Sequence, residues 1–525
     1  MTNPIFKQYD QGEIVLFPAR LDESIPEHHL VRVVSSIVDQ MDLSELLSGY
    51  QGGGTSAYHP RMLLKVLLYG YCMKIYTGRK IANALRSDIT FMWLSGKQYP
   101  DFRTINNFRS GRLKESVDTI FKSLLSFMFQ EQYIRFEEYY CDGTTLQADA
   151  NKHKVVWKKN QERYRQEVEL RIETTLKEIE KLNESENRLY GDNDLPVTGK
   201  PDPLYKDKIQ QAVETLNNVV QGKKSKETEK KAFRLQKELE ADVLRAEIYQ
   251  EQEAICGNRG GYSKTDEEAT PMRIKECKED LRPAYNAMIG SENQFITGVS
   301  VHQNTNDGTC FKEHMKEALS SMPGKVKRVI ADAIFGTEEN YELLEDEKIS
   351  GLLKYPSYDK EQEKKFKDNI FDKQNMPYDS DSDTFLCPNG KRLIYKEDVI
   401  QKNKNGFQST LRKYECEDCS RCPFLNQCIS IKEEKGNRTI QINKNLERHK
   451  QFFREKIQTS IGKALMKQRS HDVETCFGDI KHNQLFRRLH LRGIKKVKAE
   501  FTIVVMAHNL RKMQKCMEKN EKNVA

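Results

Sequence analysis

The sequence predicts a mixed α/β protein assembled from several units, and three observations predict it. A chain of 525 residues exceeds what one ordinary core organises, so two or three globular units with insertions are expected. Residues 284–358 alternate strand-like and helix-like segments, the order of an antiparallel edge on a parallel sheet. Long stretches of helical periodicity flank that region on both sides.

Residues 1–135 read as small helices after an extended start. "QGGGTSAYHP" is a loop, Pro60 opens a helical run, and "TGRKIANALRSD" suits the second helix of a helix-turn-helix. Arg79, Lys80 and Arg86 on that helix either meet phosphates or belong to a plain packing unit. "PDFRTINNFRSGRL" follows, with Thr104 expected as a cap. Residues 136–158 change period: Phe136 to Cys141 has strand character, Asp142 and Gly143 mark a strand end or tight turn, and Thr144 to Ala150 resumes an extended pattern.

Residues 159–283 are charge-rich and helical. Val168, Ile172, Leu176, Ile179 and Leu182 form one stripe, and Phe233, Leu235, Leu239, Val243 and Ile248 a second, so an antiparallel hairpin is expected, with "YGDNDLPVTGKPDP" and "QGKKSKETEKK" as linkers. It is either a spacer or an arm that clamps DNA or dimerises. In residues 284–358, a hairpin turns near Ser291, Glu292, Asn293 and Gln294, then "GTCFKEHMKEALSSMPG" is a helix, "KRVIADAIFG" a strand, "TEENYELLEDE" a helix and "ISGLLKYP" a strand. Asp332 interrupts the apolar run of the middle strand, where burial without a partner costs a few kcal/mol. Thr337 is better placed to cap the next helix, which leaves Asp332 for a ligand at a strand end. Residues 359–440 are an irregular stretch holding a cysteine cluster, and 441–525 are helical with a basic tail.

Composition narrows the function classes. No apolar run reaches the ~18 residues of a membrane span, and "MTNPIFKQYDQGE" lacks the regions of a signal peptide, so a cytoplasmic protein without membrane contact is expected. The net charge of +8 is modest, so its distribution matters more. From Lys481 to the end there are 12 Lys or Arg against 3 Glu, and "FRRLHLRGIKKVK" concentrates them. That is either a solvated face or a seat for a polyanion. Of the 12 cysteines, five cluster: Cys387, then Cys416, Cys419, Cys422 and Cys428 in "CEDCSRCPFLNQC". Overlapping C-x2-C pairs with a distant partner suit tetrahedral zinc; the alternative is reduced cysteines packing a loop-rich insertion.

Asp142 and Asp332 end different strands, and adjacent strands lie about 4.8 Å apart, close enough to share a cation. A third carboxylate is expected from a packed helix. "RSHDVETCFGDIK" offers Glu474, with Val473, Phe477 and Ile480 as its apolar face and Lys481 two turns along.

These segments resemble the DDE transposases of bacterial insertion sequences, whose catalytic core is ribonuclease-H-like. "CDGTTLQADAN" resembles the first-Asp strand, "VIADAIFGTEENYELL" the second, "RSHDVETCFGDIKHNQLFRRLHLRG" the signature helix and "VKAEFTIVVMAHNLRKM" the closing helix. "RKIANALRSDITFMWLSGKQYPDFRTINNFR" resembles the helical domain of the same branch. The resemblance implies an N-terminal helical DNA-binding domain, a ribonuclease-H-like mixed-sheet core interrupted by the charged hairpin and by the Cys-rich insertion, and closing catalytic helices. It implies that Asp142, Asp332 and Glu474 bind two divalent ions, Mg²⁺ or Mn²⁺, for in-line displacement at phosphorus. Arg469 and Lys481 would hold DNA phosphates, joined by Arg487, Arg488 and Arg492 of the tail. Water would first cleave the ends of the element and the freed 3′-hydroxyl would then attack target DNA, with double-stranded DNA as partner and a homodimer forming on it. A catalytically inactive DNA-binding descendant and a nuclease without strand transfer are the alternatives. Where related branches carry a Tyr three residues before the Arg, this chain has Met466. Cys387, Cys419, Cys422 and Cys428 look most like the family's cysteine set, with Cys416 spare. Trp157 either stacks on a displaced base or packs beside the sheet. "GYSKTDEEATPM" resembles a segment found before the second strand.

Overall fold

In the computed structural model, two parallel strands meet at the expected place: Glu138–Gln147 pairs with Arg328–Ala331 from Glu138↔Arg328 to Cys141↔Ala331. The structure describes residues 20–50, 56–190, 226–274, 277–403, 405–429 and 436–524. Part of the expected Gly-rich loop, most of the first expected hairpin linker and residues 221–225 of the second lie outside them; the rest of the second linker, from Lys226, is helix. Two compact units emerge, one of residues 1–147 with 285–525 and one of residues 148–284.

In the first unit the sheet runs, edge to edge, from Phe295–His302 through the second half of Cys277–Glu292, Glu138–Gln147 and Arg328–Ala331 to Ser350–Leu353. The first two are an antiparallel hairpin, and Ser350–Leu353 extends the parallel part. The hairpin turns on Asn293 and Gln294, both left-handed at φ 53° and 60°, the conformation that a tight two-residue loop needs. The glycines opposite Tyr139 make room for its ring: a Cβ on Gly290 would lie 1.7 Å from it, and one on Gly298 2.1 Å from its hydroxyl.

The strand Glu138–Gln147 is unbroken, so Asp142 and Gly143 do not end it as expected. Only the partner strand stops there, and the central strand continues to a parallel bridge between Gln147 and Arg488. The expected helices are Asp307–Ser321 and Glu338–Asp346. Thr337 occupies the cap position of the latter without a side-chain cap bond. Asp101, not Thr104, caps Phe102–Asn107, its carboxylate accepting from the Thr104 backbone N–H at 2.8 Å.

The middle of the closing helix Ile494–Val524 is enclosed. Val497, Ala499, Glu500, Phe501, Thr502, Ile503, Val504, Val505, Met506, Ala507 and Asn509 are all buried. It packs on Phe295–His302 and also on the helices Pro60–Cys72 and Leu113–Gln130, so no face of residues 499–510 is left to water, while Lys495, Lys496 and Lys515 toward its ends are exposed. A helix covered on all sides needs no polar stripe.

The expected irregular Cys-rich stretch is instead a five-stranded antiparallel sheet, ordered Thr439–Ile442, Gln408–Cys416, Arg392–Lys402, Thr384–Leu386 and Tyr378–Asp379. Its longest strand is exposed at nearly every position and so lacks the alternation that betrays a half-buried strand.

In the second unit Lys158–Tyr190 and Lys226–Cys256 form the expected antiparallel hairpin. Arg165 pairs with Glu253 at 3.0 Å and Arg171 with Asp242 at 3.2 Å. Val168, Ile172, Ile179, Ala232, Leu235 and Leu239 make its core, whereas Phe233 and Ile248, both expected in the stripe, are exposed. Ala232 holds the inward position, and Phe233 lies about 100° round the helix from it. Two short strands, Val155–Trp157 and Gly261–Ser263, pair at the base of the hairpin. Trp157 sits on that ribbon partly exposed, so it is not the buried aromatic of one expectation. "GYS" at the start of "GYSKTDEEATPM" is a strand, and that segment's last residues open the strand Thr270–Ile274, which pairs with the first half of Cys277–Glu292.

Candidate active site

The register Cys141↔Ala331 sets the next residues of both strands, Asp142 and Asp332, side by side. Asp142 accepts the Gly143 backbone N–H at 2.8 Å. Gly143 is required on the opposite face, where a Cβ would lie 2.7 Å from the Asp307 carboxyl group. Asp332 follows the last paired residue and leads into the turn Ala333–Phe335. Its side chain is 49% exposed, so the burial penalty that made it conspicuous in the sequence is largely absent. Gly336 then passes the neighbouring strand so closely that a Cβ would stand 2.3 Å from the Lys354 carbonyl oxygen.

Glu474 comes from the helical segment that starts at Ser460. Val473, Phe477 and Ile480 are buried as expected, and the Glu474 side chain is 58% exposed. The helix is not uniform: Ser470–Glu474 and Asp479–Asn483 are π-helical turns. The carboxylates converge on one guanidinium. Arg469 stands 3.9 Å from Asp142, 3.8 Å from Asp332 and 3.6 Å from Glu474, with its own side chain only 11% exposed. Arg469 therefore faces the acidic residues rather than solvent. Lys481 is buried too, its Nζ donating to the Thr145 carbonyl oxygen at 3.1 Å. It braces the first-Asp strand and does not lie on the outer side with Glu474, because π turns break the two-turn spacing assumed for an α-helix.

One residue of the site had no signal in the sequence. Asp472, fully buried, accepts from Ser291 Oγ at 2.6 Å and from the Gln294 backbone N–H at 2.9 Å. Burial pushes its carboxyl up, and those two hydrogen bonds oppose the shift. In return the Gln294 side-chain amide donates to the His471 carbonyl oxygen at 3.3 Å. The hairpin turn thereby fastens the π turn to the sheet. A charged residue two positions from Glu474 reads in sequence as a solvent-facing one.

The other basic candidates are exposed: Arg487, Arg488 and Arg492 after the signature helix, and Arg79, Lys80 and Arg86 on Gly78–Ser87. The two groups are neighbours through Tyr76, whose hydroxyl donates to the Gln484 carbonyl oxygen and whose ring stacks on His490 at 5.9 Å. Thr77 caps the second helix, and Gly70 of the first lies against Ile81, in keeping with a helix-turn-helix.

Cys387, Cys416, Cys419, Cys422 and Cys428 line one small cavity of about 20 Å³. Burial pushes the Cys416 thiol up to about 12. Among the described residues, no group of three or more His, Cys, Asp or Glu side chains is gathered closely enough to hold a metal ion as it stands. At both places the donors are suited to a metal in kind: carboxylates around a single cation in one, thiols around a cavity in the other. No helix among the described residues is long and apolar enough to cross a membrane.

Comparison with protein families gives two matches. Residues 386–514 match a transposase DDE domain, a stretch that holds Arg469, Glu474 and Lys481 but neither aspartate. Residues 19–111 match a transposase domain, DUF772. No curated protein and no solved structure matches the chain.

Proposed function

The chain belongs to the DDE transposases of insertion sequences, enzymes that act on DNA, and from that premise we propose that it cleaves the ends of its element and joins them to target DNA, with Asp142, Asp332 and Glu474 as catalytic residues. The observation that carries this reading is the meeting of three carboxylates, from two adjacent parallel strands and a helix, around Arg469. Those four side chains leave a net negative charge where a divalent cation would sit. Two Mg²⁺ or Mn²⁺ ions held there would polarise the phosphodiester and stabilise the oxygens that attack and leave.

The chain's own residues contribute position. The strand register ending at Cys141 and Ala331 places Asp142 and Asp332 just beyond it, and the more exposed Glu474 closes the third side. The strand order, with a hairpin edge followed by the first-Asp strand and two parallel strands, supports a ribonuclease-H-like core. Arg487, Arg488, Arg492, Arg79, Lys80 and Arg86 bind phosphates along the DNA duplex, which makes affinity fall with salt. Residues 1–135 serve as the DNA-binding domain, 159–283 and 359–440 as insertions, and 136–158, 284–358 and 441–525 as parts of the catalytic core. Two copies pair on two DNA ends, in the cytoplasm. Cys387, Cys419, Cys422 and Cys428 hold a structural zinc, supported by their common cavity. Metal analysis should find about one zinc per chain in the wild type and in Cys416→Ser, and none in Cys422→Ser.

Asp332→Asn tests the main reading. End cleavage should fall by 10³-fold or more, on the order expected when a metal ligand is lost, while affinity for end DNA stays within about twofold. Cleavage that survives would remove Asp332 from the chemistry. A wild type that cuts labelled ends without joining them would be a nuclease.

A further inference from the structure

We infer that Arg469 is a positioning residue, an internal cation that holds Glu474 against the strand-set Asp142 and Asp332 until divalent metal arrives and then yields to it. The inference rests on the reading of those carboxylates as metal ligands and assigns Arg469 a role distinct from DNA contact.

Three observations carry it. The guanidinium is nearly enclosed, and a buried cation requires compensating charge; all three carboxylates stand within 4 Å of it. None of those contacts is as short as a hydrogen bond, since they span 3.6 to 3.9 Å. Arg469 thus offsets part of the group's charge without locking onto one member, the arrangement of a cation that can be exchanged.

The third observation is the turn that delivers it. Arg469 and Glu474 are five residues apart, which in an α-helix places them about 140° apart round the axis. A π turn repeats at i→i+5, and Ser470–Glu474 is such a turn, so one residue of extra winding brings Arg469 and Glu474 to the same side. The Asp472 bonds to Ser291 and Gln294 pin that winding to the sheet.

A fixed positive charge amid the ligands opposes metal binding by direct repulsion. Removing it costs little preorganisation at Asp142 and Asp332, because each directly follows a residue of the paired register, Cys141 and Ala331. Metal affinity should therefore rise when the guanidinium is lost. The test is Mn²⁺ binding without DNA, followed by the magnetic resonance signal of free Mn²⁺. Arg469→Gln should bind Mn²⁺ at least tenfold more tightly than wild type, and Arg469→Lys, which keeps the charge, should stay within about threefold. Affinity that is unchanged or weaker in Arg469→Gln would overturn the inference. In the wild type, Mn²⁺ should speed labelling of Arg469 by phenylglyoxal severalfold, read by peptide mass spectrometry; unchanged or slower labelling would overturn it even if Arg469→Gln does not fold. Asp332→Asn separates the two readings: if it leaves wild-type Mn²⁺ binding intact, the carboxylates are not the metal site and the proposed function fails with it.

Discussion

His314 shows how a single residue ties packing to pH. It is fully buried between Tyr139 Oη, 2.7 Å from Nε2, and Ser300 Oγ, 2.7 Å from Nδ1. Ser300 also reaches His302 Nε2 at 2.7 Å, and His302 reaches Glu313 at 3.2 Å. This relay fills the face of the first-Asp strand opposite Asp142. Burial pushes His314 down to about 3 from 6.5, so the folded protein keeps it neutral. Between those two values the unfolded chain takes up a proton that the folded chain refuses, and stability therefore falls as pH drops through that window. From pH 7 to pH 5 the loss from this one group is roughly 2 kcal/mol. Urea midpoints at the two pH values should show that slope in the wild type and a shallower one in His314→Gln. An equal slope would mean that the imidazole titrates normally. Gly290 belongs to the same packing: Gly290→Ala drives a methyl into the Tyr139 ring and should cost about 3 kcal/mol.

At the scale of elements, the sequence disclosed what repeats and concealed what deviates. The hairpin edge, the two parallel strands after it and the helices between were legible because their side-chain periods are regular. So were Asp142, Asp332 and Glu474, as polar residues set in apolar runs. The π turns were not legible, since a single extra residue in a helix changes no pattern over a window of a dozen. Nor was the burial of Arg469, because charge alone predicts exposure. Deleting Ser470 removes one residue of the π winding and returns the segment to α spacing. Arg469 and Glu474 are then four residues apart, about 40° round the axis, and stay on one side while the apolar face through Val473 and Phe477 is retained. Cleavage of end DNA should therefore stay within about tenfold of wild type, with helical circular dichroism unchanged. A loss on the order of 10²-fold or more, the scale for displaced catalytic groups, would show that the π turn itself is needed.

For the whole molecule, the chain interrupts its own sheet with a long excursion whose ends close on themselves. The helices Lys158–Tyr190 and Lys226–Cys256 bury their stripe against each other, and the paired strands Val155–Trp157 and Gly261–Ser263 form their base. Charge-rich helices with one apolar stripe made this hairpin readable from sequence; the five-stranded Cys-rich sheet was not, because its polar strands bury too little to leave a period. Closure at the base makes the excursion removable. The Lys158 backbone N–H already donates to the Gly260 carbonyl oxygen at 3.0 Å, so residues 159–259 can be replaced by Asn-Gly, a pair that forms a tight two-residue turn. What is lost is the cover that Ile255 and Cys256 give Val156 and Tyr262, a local cost. The shortened protein should melt within about 5 °C of the wild type, as a change of one or two kcal/mol would allow, and lose helical signal in proportion to the residues removed. As a spacer, the hairpin should leave affinity for end DNA unchanged on removal. An affinity that falls tenfold or more while melting is preserved would instead make it a clamp on DNA, contacting phosphates through its charged faces.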